Sequence, residues 1–182
     1  MSCYKENEHN KILLLFSCPG QEEEKATKPC AGKTGNNLLQ LLEKLNKLRA
    51  VEFPKEREKY YINNAFDGIK FKSKTNSTEA NKNELLNPEN INRLIQEVSH
   101  VEKIICFGEN ARIAISNIRN SFTKKNISVY YSPHLSFRCI NCLIKTDIDN
   151  NLLIKGQPDN TDKRLNVIAR QLLESKEIIN PD

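Results

Sequence analysis

The sequence predicts a single three-layer α/β/α domain spanning residues 1–182, built on a central, mostly parallel four-stranded sheet. Three observations predict it. Short apolar runs of strand composition alternate with segments whose apolar residues recur at helical spacing, the pattern of a parallel sheet covered on both faces. The first apolar run leads into a long polar loop and then a helix, which is how open α/β sheets set a ligand site at the carboxyl end of a strand. A chain of 182 residues without internal repeats or a long linker fits one domain with a full core.

In chain order, residues 1–10 form a polar lead-in that is expected to be loosely held. Ile12 to Phe16, ILLLF, has the length and composition of a buried strand. The loop from Ser17 to Lys33 is punctuated by Pro19, Gly20, Pro29 and Gly32, and Leu38, Leu41, Leu42, Leu45 and Leu48 then share one helical face. A charged connector, 51–59, precedes the second strand candidate, Tyr60-Tyr61-Ile62-Asn63-Asn64-Ala65-Phe66, rich in β-forming residues. Residues 67–82 set Lys70, Lys72, Lys74 and Lys82 among Ser, Thr and Asn; this is an exposed loop, either simply solvated or tracking a phosphate backbone. Asn87-Pro88 supplies a cap and a first-turn proline for a helix with the stripe Ile91, Leu94, Ile95 and Val98. Val101 to Phe107 reads as the third strand, followed by Gly108 and a helix burying Ala111, Ala114, Ile115 and Ile118. Ile127 to Tyr131 is the fourth strand. Residues 145–160 are polar with room for a short hairpin, and Leu165, Ile168, Ala169, Leu172 and Leu173 mark the last helix.

A net charge of +5 permits an anionic partner without demanding one. No apolar run approaches the ~20 residues of a membrane span, and the first ten residues are polar, so the expectation is a cytoplasmic protein with reduced cysteines. Cys106 lies in an apolar run and reads as a buried thiol, while Cys139 and Cys142 form a lone CxxC, weak support for zinc. AGKTG is not a P-loop, because Thr27 stands where that motif needs its first glycine, so no nucleotide cofactor is expected. The backbone N–H groups near Gly32 to Gly35 could still receive a phosphate.

CPGQEEE followed by KPCAGKTGNNL resembles the first motif of the uracil-DNA glycosylase superfamily, in the branch of thermophilic, iron–sulfur and related enzymes. There it reads roughly GEAPGxxED, then GxPFxGxxGxxL, and Pro19, Gly20, Glu23, Pro29, Gly32, Gly35 and Leu38 follow it in order. YINN resembles the strand of the second motif, IICFGENARIAI the strand–Gly–helix unit, and SPHLSFR the last motif. The resemblance runs from Ile12 to about Arg138; residues 139–160 are atypical of the family. It implies a monofunctional glycosylase hydrolysing the bond between deoxyribose and uracil, or a modified or damaged base flipped out of DNA. The alternative is an inactive member that binds DNA or a protein. No cofactor, cluster or metal is implied, since the family's iron–sulfur cysteines are missing; the expected partner is DNA, and the expected state is a monomer.

The chemistry needs a reader of the base edge, a stacking surface, a donor to the departing base and a group that handles water. Asn64 is the candidate reader, because an amide both donates and accepts; a strand-end Asn bonding its own turn is the other reading. Under the resemblance His134 is the donor, although the family's HPS appears here as Ser132-Pro133-His134, which displaces the imidazole along the chain. The family's activating position falls at Cys18, the preceding Glu at Ser17, and Glu23 matches the family's carboxylate. A thiol at Cys18 cannot steady a cation unless it ionises. Cys30 stands where the family often stacks an aromatic on the base. The base pocket is thus expected from Ser17, Cys18, Pro19, Gly20, Cys30 and Asn64, with Asn64, His134 and Glu23 catalytic. Phosphate contacts are expected from Lys33, Thr34, Lys72, Lys74, Ser132, Ser136 and Arg138, with Lys124 and Lys125 beside them.

Overall fold

The structure, a computed structural model, describes residues 4–122, 126–157 and 159–179. Five strands, β1 (Ile12–Phe16), β2 (Tyr61–Asn64), β3 (Lys103–Phe107), β4 (Ile127–Ser132) and β5 (Glu177–Ile179), form one sheet in the order β2-β1-β3-β4-β5. The first four are parallel, with Leu14 of β1 beside Ile62 on one side and Ile105 on the other. β5 pairs antiparallel with β4, so the sheet has five strands rather than the four expected. Three residues, one of them charged, are too few to carry a periodic signal in the sequence.

Alternation along the central strand builds both cores. Leu14 and Phe16 pack with Leu38, Leu41 and Leu42 of α2 (Gly32–Arg49) and Leu165 and Ile168 of α8 (Asn160–Glu174). Leu13 and Leu15 point the other way, onto Leu94 and Val98 of α5 (Pro88–Val98) and Ala111 and Ile115 of α6 (Glu109–Ile118). Both faces are covered, which is why β1 is apolar at every position. Each leucine so buried contributes roughly 1.5–3 kcal/mol. Asn87 caps α5 through Oδ1, which accepts from the Glu89 N–H at 2.9 Å.

The connections carry more structure than their polarity suggests. The first loop contains α1 (Gln21–Ala26), and the basic segment contains α3 (Lys72–Thr75) and α4 (Lys82–Leu85). α7 (Phe137–Leu143) follows β4. The short hairpin expected within 145–160 is present as a Thr146–Leu152 bridge, with the Asp147 N–H donating to the Asn151 carbonyl at 3.0 Å. The described part of the lead-in, from residue 4, is tied down rather than loosely held. Glu6 and Ile62 exchange backbone hydrogen bonds of 3.0 and 2.9 Å, and Arg57 pairs with the Glu6 carboxylate at 2.8 Å. Backbone pairing and an ion pair need no apolar residues, so composition did not reveal that this segment covers the open edge of β2. Among the described residues, no helix is long and apolar enough to cross a membrane.

Gly35, in the first turn of α2, is where the first loop presses on its helix. A Cβ built there would lie 2.3 Å from the Cys30 carbonyl oxygen. Gly35→Ala should therefore cost about 1–3 kcal/mol, as overpacking does, and lower the urea midpoint, whereas Asn36→Ala on the exposed face should leave it nearly unchanged.

Candidate functional site

The carboxyl ends of β1 and β2, with the loops that leave them and the loop after β4, enclose a cavity of about 350 Å³. Backbone pairing sets its floor. The carbonyls of Phe16 and Ser17 accept from the N–H groups of Ala65 and Phe66 at 2.8 and 3.0 Å, and Pro19 accepts from Lys70 at 2.8 Å. Loops that follow two adjacent strands are thereby held side by side. Glu23 closes the first of them: one carboxylate oxygen accepts from the Gly20 N–H at 3.0 Å and the other from the Ala31 N–H at 2.9 Å. Arg57 braces the far end, donating to the carbonyls of Pro29 at 2.7 Å and Cys30 at 3.2 Å.

Of the residues singled out from the sequence, Cys18, Gly20, Glu23, Cys30, Thr34, Asn64, His134, Ser136 and Arg138 all line this cavity. Asn64 is 4% exposed and gives one Nδ2 hydrogen to the Tyr4 carbonyl at 3.1 Å. Among the described residues its other N–H and its Oδ1 have no partner, which leaves a donor and an acceptor. His134 reaches the cavity despite its displacement along the chain. Its Nδ1 accepts from the Ser136 N–H at 3.1 Å, which assigns the proton to Nε2. Burial pushes this imidazole below its ordinary 6.5, while Glu79 and Glu23 pull the other way. Gly108, at φ +93, makes room for it: a Cβ there would stand 3.3 Å from the His134 Cβ.

Of the six lining residues not expected in the site, Phe16, Phe71 and Glu79 bear most on its chemistry. Phe16 stacks on Phe107 with centroids 4.6 Å apart and meets the His134 ring edge-on at 6.2 Å. Phe71 lines the same space, so the cavity has aromatic surface although Cys30 supplies none. Glu79 stands at the rim, where its Oε2 accepts from Ser17 Oγ and from Asn110 Nδ2, the latter at 3.2 Å. Ser77 Oγ fixes its backbone, donating to the Glu79 carbonyl at 2.7 Å and accepting from its N–H at 3.2 Å. Alternation along β1 could have put Phe16 beside the loop; nothing near Glu79 in the chain marks it.

Several expected roles change with the geometry. Both oxygens of Glu23 are engaged by backbone N–H groups, so it holds the loop rather than handling water. Ser17 is buried against Glu79, and Pro19 is buried behind the wall. Ser132 does not face the open side as a phosphate contact would. It is 8% exposed, donates to the Pro133 carbonyl at 3.0 Å and lines a separate cavity behind His134. Ser136 Oγ caps α7, accepting from the Cys139 N–H at 3.3 Å. Lys74 is paired with Glu24, Lys33 lies 5.8 Å above the Phe137 ring, and Lys72 is exposed. Lys124 and Lys125 lie outside the described residues. Cys139 and Cys142 sit on α7, and among the described residues no third His, Cys, Asp or Glu joins them as a metal set.

Comparison of the sequence with protein-family models and with curated proteins gives no match.

The thiols of the cavity are chemically quiet. Burial first, and the Glu79 charge second, push Cys18 up to about 12, and burial pushes Cys30 up as well. At neutral pH neither is a thiolate, the form that reacts. In a timed alkylation at pH 8 followed by peptide mapping, exposed Cys142 should be modified first among the described cysteines, with Cys18 at least tenfold slower and Cys30 protected until the protein unfolds.

Proposed function

We propose that the protein is a monofunctional DNA glycosylase with a uracil-DNA glycosylase-like fold, hydrolysing the N-glycosidic bond of uracil or of a modified or damaged base turned out of DNA. The supporting observation is the convergence, in one cavity at the carboxyl end of the sheet, of Asn64, neutral His134, the aromatic faces of Phe16 and Phe71, and the fixed carboxylate of Glu79. In this reading Asn64 presents its remaining N–H and Oδ1 to the base edge, and Phe16 and Phe71 supply the surface the base packs on. The bond between C1′ and the base nitrogen breaks with its electron pair going to the base, while the sugar takes on oxocarbenium character. His134 Nε2–H donates to the oxygen where the base's negative charge gathers. Water adds to C1′ and passes its proton to Glu79, whose Oε1 has no hydrogen-bond partner among the described residues. Glu79 thus takes the part for which the first motif offers only Cys18. No lysine acts as nucleophile, so the DNA strand stays intact.

These assignments separate in single-turnover excision on whichever base the wild type removes fastest. Glu79→Gln, which cannot take a proton, should slow excision by about 10²–10⁴. His134→Ala should slow it by about 10²–10³, the usual loss of one donor to a developing anion. Asn64→Ala should abolish detectable excision and leave binding to unmodified DNA unchanged. Wild-type rates from both Glu79→Gln and Asn64→Ala would sink the reading.

The pH dependence follows from His134. A proton on Nδ1 would break its bond with the Ser136 N–H, and burial holds its folded value below 6.5. Excision should therefore be insensitive to this group at neutral pH and fall only below 6.5. The unfolded chain takes up the proton near 6.5 and the folded chain at lower pH, so stability is lost as pH drops through that interval. Glu79→Gln removes a charge that raises the His134 value, so the acid limb should shift to still lower pH. An acid limb centred above 6.5 would contradict the neutral imidazole.

A further inference from the structure

A second cavity, of about 420 Å³, adjoins the first and shares Arg138 with it. Four cations line it: Arg138, Lys145, Lys155 and Arg164. No carboxylate does. Other well-shielded cations, Lys5, Arg57, Lys70 and Arg93, each pair with a carboxylate, but among the described residues none of the four lining this cavity takes part in an ion pair. Arg164 is the telling member. It is only 2% exposed, and its guanidinium is held by two carbonyls, Nε donating to Ile144 at 2.9 Å and Nη2 to Leu153 at 2.5 Å. A buried guanidinium without an anion carries a desolvation cost that two carbonyls offset only in part. Three exposed cations ring the same space, and their mutual repulsion adds to that cost. An anion entering the cavity would relieve both.

We infer that this pocket seats a backbone phosphate of the DNA strand whose base occupies the neighbouring cavity; the strand assignment rests on the proposed glycosylase reading, the anion site on the four cations alone. A fixed guanidinium suits phosphate oxygens, which it meets with paired N–H groups. The surroundings favour a ligand larger than a free anion. Leu143, Leu152 and Ile154, on the same segment, are 60%, 71% and 54% exposed, and Phe137 and Leu153 form walls of the cavity itself. Apolar surface beside a phosphate pocket fits the sugar and base faces of a nucleic-acid strand. Arg138, common to both cavities, would then lie between the flipped base and the phosphate, which gives the segment 139–160 a use the first cavity does not account for.

The test replaces the two exposed lysines, which no described contact makes essential to the fold, and reads binding rather than excision. Lys145→Gln/Lys155→Gln is titrated with a short unmodified oligonucleotide by fluorescence anisotropy over a range of salt. The pocket predicts about tenfold weaker binding and a log–log salt slope shallower by about one. Inorganic pyrophosphate should raise the melting temperature of the wild type more than that of the double variant. Oligonucleotides with and without a 5′-phosphate separate the two sources: equal losses point to an internal phosphodiester, while a loss confined to the phosphorylated strand overturns that assignment in favour of a terminal phosphate. An unchanged affinity and slope would overturn the proposal, and stabilisation by pyrophosphate with unchanged DNA binding would assign the pocket to a small anion instead. Because the readout is binding to undamaged DNA, a failure of base excision leaves this result intact, and the reverse holds as well.

Discussion

The carboxylate of Glu23 is the interaction on which the candidate site rests. Its two oxygens reach two backbone N–H groups that lie on either side of α1, at Gly20 and Ala31, and so draw the ends of a long loop together. Such charge-assisted bonds are worth roughly 1.5–3 kcal/mol each when shielded, and this pair is partly shielded. The closed loop carries Cys18 and Cys30 on its inner wall and starts α2 in the direction that brings Thr34 to the rim. It also leaves Gly35 against the Cys30 carbonyl, where no larger residue fits without movement. A carboxylate that a motif comparison would assign to chemistry is thus the clasp that shapes the cavity.

The electrostatics of the cavity follow from what surrounds that clasp. His134 sits among apolar walls that favour its neutral form, with Glu79 and Glu23 near enough to oppose the shift. The same Glu79 charge, added to burial, keeps Cys18 a thiol. One carboxylate at the rim therefore acts on two neighbours in ways that suit a site where a proton is accepted at one edge and a hydrogen bond donated at the other. The second, cationic cavity shares Arg138 with the first, so a pocket with a carboxylate at its rim adjoins one lined by cations.

Much of the scaffold was legible in the sequence because it follows from local patterns. ILLLF had the length and composition of a buried strand, Asn87-Pro88 marked a helix start, and the leucine stripe fixed the inner face of α2. The site was legible only where its residues belong to words in the chain, as Cys18, Gly20, Cys30, Asn64 and His134 do. Glu79 was not, because its partner Ser17 is 62 residues away and its own neighbours are an ordinary polar loop. Tyr4 and Glu6 were hidden for a similar reason: their contacts with Asn64 and Ile62 are made by backbone groups that any residue carries. β5 was too short for periodicity. Arg164 occupied a polar place in a helical pattern, and only the packed fold turns it into a buried cation without an anion.

The central claim is that the cavity at the carboxyl end of β1 removes a base from DNA. Its most direct measurement is a count of abasic sites after incubating the wild-type protein with oligonucleotides carrying uracil or modified and damaged bases in turn, and with phage genomic DNAs of differing base chemistry. The account predicts abasic sites with intact strands on at least one of these substrates, in proportion to enzyme and time. Abasic sites at background level on every substrate, by a protein that is folded and binds DNA, would contradict it.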